Sequence, residues 1–494
     1  MHIVSLPSEY GIGDLGRGAY RFVDDLVAMR VSVWQFLPMG PTAYGDSPYQ
    51  PLSSFAGNEL LIDIENLVSL GLLDAIEIGA LRELPDDHVD YEALIPAKWS
   101  LLRLAASRFE THANAETRAE LNRFIAANDA SWLHDYACYR CLKTRHDERP
   151  WPEWQAGYLH RDPATMQSFV ESSAADITQI KVIQFLFFKQ WSELRHYAND
   201  RRIIMFGDMP IYIALDSADA WAHPDLLQLD DDGQPERVAG VPPDYFSDDG
   251  QLWGNPLYDW SYHKSTGYLW WTNRLRAALL IADTVRIDHF RGFEAFWSIP
   301  ASAETARDGY WEPGPGDSLF EALRDSLKSL PIVAEDLGVI TPEVDQLRDK
   351  YDLPGMRVLQ FDVCDPDFEL SRIGINTVCY TGTHDNDTTR GWFNGGSDND
   401  GRDAAEIEQA QQAALNIVGG CPESVHTNFI KAAFSTAAYI AIAPMQDYLG
   451  LGSQARLNTP GIAGGNWRWR LQKEQLTPDF CDNVASMVSD SRRE

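Results

Sequence analysis

Thr284-Val285-Arg286-Ile287-Asp288 is a short, mostly apolar run that ends in a carboxylate. Two later runs end in the same way, Pro331–Asp336 (PIVAED) and Val378–Asp385 (VCYTGTHD). Continuous runs of Val, Ile and aromatic residues are typical of parallel strands that are buried on both faces. In a barrel of parallel strands all carboxyl ends lie at one face, so we expect these acids to converge there.

Further runs of this kind bring the total to eight, which is the number of strands that a closed (β/α)8 barrel requires. Amphipathic segments with helical spacing separate several of the runs, and this alternation favours parallel βαβ units. The sequence therefore predicts an α/β fold, a (β/α)8 TIM barrel. The predicted strands are His2–Leu6, Val31–Leu37, Ile203–Phe206, Thr284–Ile287, Pro331–Ala334, Gly355–Phe361, Val378–Gly382 and Tyr439–Ala443.

Two gaps between these strands are too long for simple crossovers. Residues 64–200 are rich in Leu, Ala and charged residues with helical periodicity, which predicts an inserted, largely helical subdomain. Residues 210–265 are rich in Asp, Pro, Gly, Tyr and Trp, which indicates an inserted region of substrate-binding loops. We expect residues 1–494 to form a single catalytic barrel with no separate C-terminal β domain.

The composition restricts the partners of the protein. Its 494 residues include 73 acidic and 41 basic side chains, a formal net charge of −32. Because phosphate groups need a cationic surface, this charge argues against nucleic acid or an anionic membrane as a partner. The six cysteines are sparse, and the chain shows neither a signal peptide nor an apolar stretch of about 18 residues. A soluble, cytoplasmic protein is expected.

Gly11-Ile-Gly13-Asp-Leu-Gly16 has the spacing of the dinucleotide-binding GxGxxG motif. Its context does not fit, because four residues separate it from the preceding run and the next predicted strand lacks the acidic residue that binds a ribose. We expect these glycines to allow a tight loop that enters the first helix.

Two of the strand-end acids have neighbours that suit paired carboxylate chemistry. Arg286 and Asp288 are two positions apart on a strand and point the same way, so the cation is expected to lower the pKa of Asp288. Glu335 adjoins an apolar run, which is expected to raise its pKa. Such a pair suits glycosidic bonds, where one carboxylate attacks and the other protonates the leaving oxygen. A Mg²⁺ site, or a structural role for any single acid, is the alternative.

Three of the predicted loops mix aromatic with polar residues. Sugars have apolar faces and hydroxyl rims, so such a mixture suits carbohydrate binding. The segments are Tyr44–Gln50, Pro243–Ser247 and Leu252–Pro256.

At these residues the chain resembles a known family, the 4-α-glucanotransferases of glycoside hydrolase family 77 in the α-amylase clan. The matching motifs follow one another over nearly the whole chain and are specific only together. They are SLPSEYGIGDLG (5–16), WQFLPMGPTAYGDSPYQPLSSFAGN (34–58), FGDMPIYIALDSADAW (206–221), GVPPDYFSDDGQLWGNPLYDW (240–260), VRIDHFRGF (285–293), VAEDLG (333–338), GTHDNDT (382–388) and NTPG (458–461).

The resemblance implies a retaining double displacement with three catalytic acids. Asp288 would be the nucleophile, Glu335 the general acid and base, and Asp385 the residue that stabilises the transition state. No metal or organic cofactor is implied. The candidate substrate-binding residues are Arg286, His384, Asp208, Tyr49, Asp244, Trp253, Asn255 and Asp46.

The implied partners are α-1,4-glucans and maltooligosaccharides as donors, with glucose or another glucan as the acceptor through its 4-hydroxyl. An amylase-like or α-glucosidase-like hydrolase would form the same covalent intermediate and differs only in letting water attack it. A catalytically inactive glucan-binding protein is the alternative from another class, although all three acids are present.

Overall fold

A computed structural model describes residues 1–243, 248–396, 402–462 and 464–493 of the chain. Within these ranges the structure is mixed α/β, and its parallel strands carry the site residues. In chain order the strands are β1 (Val33–Gln35), β2 (Ile204–Met209), β3 (Arg237–Val241), β4 (Gln251–Pro256), β5 (Thr284–Ile287), β6 (Ala295–Pro300), β7 (Tyr310–Pro313), β8 (Ile332–Ala334), β9 (Gly355–Val358), β10 (Thr377–Tyr380) and β11 (Ile440–Ile442).

Seven strands are parallel and follow one another around the molecule in chain order. One sheet has the order β1-β2-β5-β8, and a second has the order β9-β10-β11. The Ala334 N–H at the end of β8 donates to the Pro354 carbonyl just before β9, at 2.8 Å. Side chains of Val333, Met356 and Val378 pack together in one apolar cluster, so the two sheets share a core.

The predicted first strand, His2–Leu6, is wrong. Residues Ile3–Ser5 form a single 3₁₀ turn instead, with Leu6 N–H donating to the Ile3 carbonyl at 3.0 Å. A short apolar run cannot be assigned to strand or buried turn from periodicity alone, because burial imposes the same residue types on both. The described residues therefore form seven of the eight strands that a closed barrel needs.

A third sheet, which the sequence did not predict, is formed by strands that lie between β2 and β8 in the chain. It is antiparallel with the order β4-β3-β6-β7. Strands β3 and β4 fall within residues 210–265, where the composition predicted only long loops. Gly240 interrupts β3, and Gly254 and Pro256 interrupt β4, which masks the β pattern of both strands. The substrate-binding role of residues 210–265 stays a prediction.

Helices occupy most of residues 64–200 and the connections between strands. The 27-residue helix Ala174–Asp200 is central, because helices Arg17–Ala28, Tyr91–His112 and His134–Arg145 all pack against it. Trp191 of this helix meets Phe36, just after β1, at a ring distance of 5.1 Å. The division of this region into a separate subdomain stays a prediction.

The α-helices of the described residues are Arg17–Ala28, Ile64–Ser69, Tyr91–His112, Ala115–Asn128, His134–Arg145, Ala156–Leu159, Pro163–Ser172, Ala174–Asp200, Ala218–Ala222, Trp260–Ser265, Leu269–Ile281, Asp317–Leu327, Pro342–Lys350, Leu359–Asp362, Thr389–Phe393, Ala404–Val418, Val425–Ser435, Met445–Tyr448 and Pro478–Ser491. In the part of the chain that the structure describes, none of them is long and apolar enough to cross a membrane.

The Gly11–Gly16 segment forms the tight loop that the sequence predicts. Gly11 has a φ of +74°, and Gly16 immediately precedes helix Arg17–Ala28. Gly13 N–H donates to the Val4 carbonyl at 2.9 Å, so this loop packs directly on the N-terminal 3₁₀ turn. The glycines therefore serve close backbone packing in this loop.

We predict that Gly13→Ala destabilises the protein, because an added Cβ would lie 1.9 Å from the Ile3 carbonyl oxygen and 2.6 Å from the Leu6 nitrogen. Neither backbone atom can move without displacing the turn, so a loss of about 1–3 kcal/mol or more is expected in denaturant unfolding. Gly79→Ala is the matched control, since a Cβ there meets nothing within 4 Å. Equal denaturant midpoints for the unfolding of the two variants would contradict this account of the loop.

Candidate active site

Asp288 and Glu335 follow directly after the neighbouring parallel strands β5 and β8. The Asp288 N–H donates to the Met209 carbonyl, and the Glu335 N–H donates to the Ile287 carbonyl, both at 3.0 Å. These bonds continue the strand ladders by one residue, so both acids project from one edge of the sheet. The convergence of these two strand-end acids, which the sequence predicted, is present in the structure.

Arg286 connects two carboxylates at the ends of the neighbouring strands β2 and β5. Its Nη1 donates to Asp208 Oδ2 at 2.5 Å, and its Nη2 donates to Asp288 Oδ1 at 2.6 Å. Asp208 lies opposite Arg286 in the register of β2 and β5. The Arg286 side chain is 5 % exposed, so its charge is neutralised by these carboxylates rather than by water.

Asp208 belongs to a strand that is longer than predicted. The predicted strand ended at Phe206, because Gly207 and Asp208 interrupt the apolar run. In the structure β2 continues to Met209. The extra length places the Asp208 carboxylate next to Arg286 on the neighbouring strand.

Tyr49 and His384 extend this cluster towards Asp385. Tyr49 Oη donates to Asp208 Oδ2 at 2.6 Å, and the Tyr49 ring stacks on the His384 ring at 5.0 Å. His384 Nε2 lies 3.3 Å from Asp385 Oδ2. Asp208, Asp288 and Asp385 are thereby linked through one set of contacts with Arg286, Tyr49 and His384.

The backbone after Asp288 holds Glu335. His289 N–H donates to Glu335 Oε2 at 2.6 Å, and Leu337 N–H donates to Oε1 at 2.9 Å. His289 adopts a left-handed backbone conformation, with φ +53°, which directs its N–H towards the carboxylate. The peptide unit between Asp288 and His289 therefore connects the two acids, because it follows Asp288 in the chain and its N–H binds Glu335.

Burial raises the pKa of Glu335 to about 7, and the charge of Asp288 adds to this increase. Arg286 and the two backbone N–H groups oppose it. The predicted increase for this carboxyl group is confirmed, and it leaves Glu335 able to give and accept a proton near neutral pH.

The predicted decrease in the pKa of Asp288 is wrong. Burial raises the pKa of this carboxyl group to about 6, with Asp208 and Asp385 contributing to the increase, although Arg286 does act in the expected direction. The sequence shows the neighbouring arginine but not the loss of water around the site. Asp288 still loses its proton before Glu335.

Asp385 differs from the other two acids in being held in the ionised form. Burial opposes ionisation, but His384 and the Nδ2 donor of Asn458, at 2.6 Å from Oδ1, outweigh it and hold the pKa of Asp385 well below its usual range. Asp385 in turn raises the pKa of His384 against the effect of burial.

The other predicted substrate-binding residues are placed differently from one another. Trp253 lies partly exposed against His289, the residue after Asp288, at a ring distance of 4.8 Å. Asn255 is buried and engaged with Gln50 and the Ile213 carbonyl, so its amide holds the surrounding loops.

Asp46 is not bonded to this cluster within the described residues. Burial raises the pKa of Asp46, with Arg468 opposing the increase, and among the described residues Asp46 has no hydrogen bond to the three acids. Asp244 lies outside the described residues.

Two residues that bind Asp385 received no role from the sequence. Asn458 donates to its carboxylate, and Arg456 Nη2 donates to its backbone carbonyl at 2.8 Å. Asn458 is the first residue of the NTPG motif, which is part of the family resemblance. Because Asn458 lies 73 positions from Asp385 in the chain, the sequence alone did not indicate their contact.

The described part of the chain contains no group of three His, Cys, Asp or Glu side chains that could hold a metal ion. The acids around Arg286 are instead bonded to the guanidinium group, to backbone N–H groups and to an amide.

Comparisons with known proteins agree with this geometry. The family model for 4-alpha-glucanotransferase, glycoside hydrolase family 77, matches residues 1–477. The 4-alpha-glucanotransferase of Synechocystis is 45 % identical over 99 % of this chain and 96 % of its own length. That of Thermus thermophilus is 42 % identical over 100 % of this chain and 98 % of its own.

Solved structures show the same likeness. The amylomaltase of Streptococcus agalactiae, determined in complex with acarbose, has a TM-score of 0.93 at 36 % identity and covers 100 % of this chain and 98 % of its own. The amylomaltase of Corynebacterium glutamicum, at 19 % identity with a TM-score of 0.78 over 99 % of this chain and 74 % of its own, shows the fold alone. These matches confirm the predicted fold class, and the chain belongs to the 4-alpha-glucanotransferase family, glycoside hydrolase family 77.

Proposed function

We propose that this 4-alpha-glucanotransferase moves α-1,4-glucan segments through a covalent intermediate on Asp288, with Glu335 as the general acid and base. The observation that carries the assignment is the contrast between the two carboxyl groups. Asp288 is paired with Arg286, whereas the partners of Glu335 among the described residues are backbone N–H groups, and Glu335 has the higher pKa. Two carboxyl groups that titrate in this order divide into nucleophile and acid.

In the first step Asp288 attacks the anomeric carbon of a glucose unit while the glycosidic bond to the leaving sugar breaks. Glu335 gives its proton to the leaving oxygen, and the donor segment stays bonded to Asp288. In the second step the 4-hydroxyl of an acceptor attacks the same carbon. Glu335 takes the hydroxyl proton, and Asp288 leaves as a carboxylate, so configuration is retained.

Arg286 keeps the charge of the site balanced through this cycle. When Asp288 forms its covalent bond it loses its negative charge, but Arg286 keeps the Asp208 carboxylate at 2.5 Å. A buried guanidinium without a partner would be costly, so the Asp208 contact stabilises the glycosylated state.

Asp385 suits stabilisation of the transition state because it stays ionised. An ionised carboxylate accepts stronger hydrogen bonds from sugar hydroxyl groups than a neutral one, and positive charge develops on the ring during both steps. Tyr49, His384 and Trp253 surround the acids with ring surfaces that suit a sugar. We propose α-1,4-glucans as donors and glucose or another glucan as acceptor, in the cytoplasm.

We predict that Asp288→Asn and Glu335→Gln each lower kcat for maltotriose by at least about 10²- to 10⁴-fold. A donor with fluoride as its leaving group needs little proton transfer, so with maltosyl fluoride Glu335→Gln should recover its first step, whereas Asp288→Asn should not. The products formed from maltotriose and the fluoride released from maltosyl fluoride measure this.

Asp336→Asn is the matched control for these variants. Asp336 is adjacent to Glu335 and buried, but it pairs with Arg348 and accepts the Met356 N–H at 2.6 Å. Its replacement should lower stability and leave kcat within a few-fold. A large loss of kcat for Asp336→Asn, with activity surviving in the other two variants, would contradict the assignment.

We predict a bell-shaped pH profile for kcat/KM, because the reactive form needs Asp288 ionised and Glu335 protonated. Activity should fall as the pH drops below about 6, where Asp288 gains a proton. It should fall again as the pH rises above about 7, where Glu335 loses its proton. Rates for maltotriose across this range measure both limbs, and a profile without an alkaline limb would refute the acid role of Glu335.

Incubation with maltotriose separates transfer from hydrolysis. A transferase should form glucose and longer oligomers while the number of reducing ends stays constant, because each bond broken is replaced by another. A rising count of reducing ends would establish the hydrolase alternative. Binding of maltotriose without any product would establish the inactive glucan-binding protein.

A further inference from the structure

Asp447 holds the loop that carries His384 and Asp385. Asp447 Oδ2 accepts the hydroxyl of Thr381 at 2.6 Å and the hydroxyl of Thr389 at 2.7 Å. Its Oδ1 accepts the Thr389 backbone N–H at 2.7 Å. Thr381 follows β10 directly, and Thr389 begins the next helix, so one carboxylate binds both ends of the loop.

This contact lies away from solvent. Asp447 is 1 % exposed, and both threonines are 0 % exposed. All three of its donors are uncharged. A buried carboxylate is costly unless it is fully hydrogen-bonded, and here each bond fixes the loop relative to the segment after β11.

The same segment reaches the loop at further points. Ser453 Oγ donates to Asp387 Oδ2 at 2.5 Å, and Arg456 and Asn458 bind Asp385 itself. Arg456 and Asn458 bind Asp385 directly, whereas within the described residues Asp447 has no hydrogen bond to Asp288, Glu335 or Asp385. Its effect on Asp385 must pass through the backbone of the loop.

We propose that Asp447 is a positioning residue of the transfer reaction, whose carboxylate ties Thr381 to Thr389 and thereby fixes Asp385 against the sugar in the transition state. The inference rests on the role proposed above for Asp385. A displacement of about 1 Å in such a group can cost about 10²-fold in rate, so a loose loop would impair catalysis without removing any catalytic atom.

The first test is Asp447→Ala with maltotriose. The structure predicts a fall in kcat of about 10- to 100-fold with KM changed less than about 3-fold, because the lost alignment matters most in the transition state. Asp447→Asn should recover much of this loss. Its amide oxygen can still accept the Thr389 N–H, and the threonine hydroxyls can turn to accept from its NH₂.

Asp283→Ala is the matched control for a general loss of stability. Asp283 also accepts three hydrogen bonds, including the Met205 backbone N–H at 2.8 Å, but it precedes β5 at the opposite end of the strands. At a temperature well below both Tm values, Asp283→Ala should keep kcat within a few-fold. An equal loss in the two variants would overturn the proposal.

A double-mutant cycle with Asp385→Asn tests the route of the effect. If Asp447 acts through Asp385, then Asp447→Ala should reduce the residual rate of Asp385→Asn with maltosyl fluoride by less than about 3-fold. The proposal would be overturned if Asp447→Ala lowered the rate of Asp385→Asn by the same factor by which it lowers the rate of the unchanged protein. Failure of Asp385→Asn alone to lower kcat would instead refute the proposed role of Asp385.

If Asp447→Ala does not fold, the double variant Thr381→Val and Thr389→Val replaces it. This pair keeps the side-chain shapes and the Thr389 N–H bond but removes both hydroxyl donors. The same loss of kcat, with KM little changed, is expected, and an unchanged kcat would overturn the proposal.

Discussion

The Arg286 guanidinium group, shared between Asp208 and Asp288, is the interaction on which the site depends. It is buried, and its two carboxylate partners come from neighbouring strands in register, so backbone pairing alone brings the charges together. Removing Arg286 would leave two carboxylates without a counter-charge in a dry environment, where the cost is several kcal/mol. The paired strands thus support a set of charges that would not remain together in water.

Around this ion group, the protonation states of three acids are set by different surroundings. Glu335 is bonded to neutral backbone donors, Asp288 to a cation, and Asp385 to an imidazole and an amide. The pKa values of these three similar side chains therefore differ within one site. The family relationship gives the reaction, and these surroundings give each carboxyl group its separate part in it.

The sequence predicted the acids at the strand ends better than it predicted the strands, burial and distant contacts around them. Acids at strand ends were visible because a buried parallel strand is an uninterrupted apolar run, and the residue after it stands out. The first strand was wrong because a buried turn has the same composition. The pKa of Asp288 was wrong because burial depends on the whole fold, and Asn458 received no role because contacts between distant segments leave no local pattern.

The peptide between Asp288 and His289 has a consequence for how this enzyme can diversify. Since the N–H after one carboxylate holds the other, the spacing of the pair is set by covalent backbone geometry and two neighbouring strands. Loops that surround the sugars can change length or composition without altering that spacing. The stereochemistry of the reaction and the choice of substrate therefore depend on different parts of the structure. New acceptors can evolve while the anomeric configuration of the product stays the same.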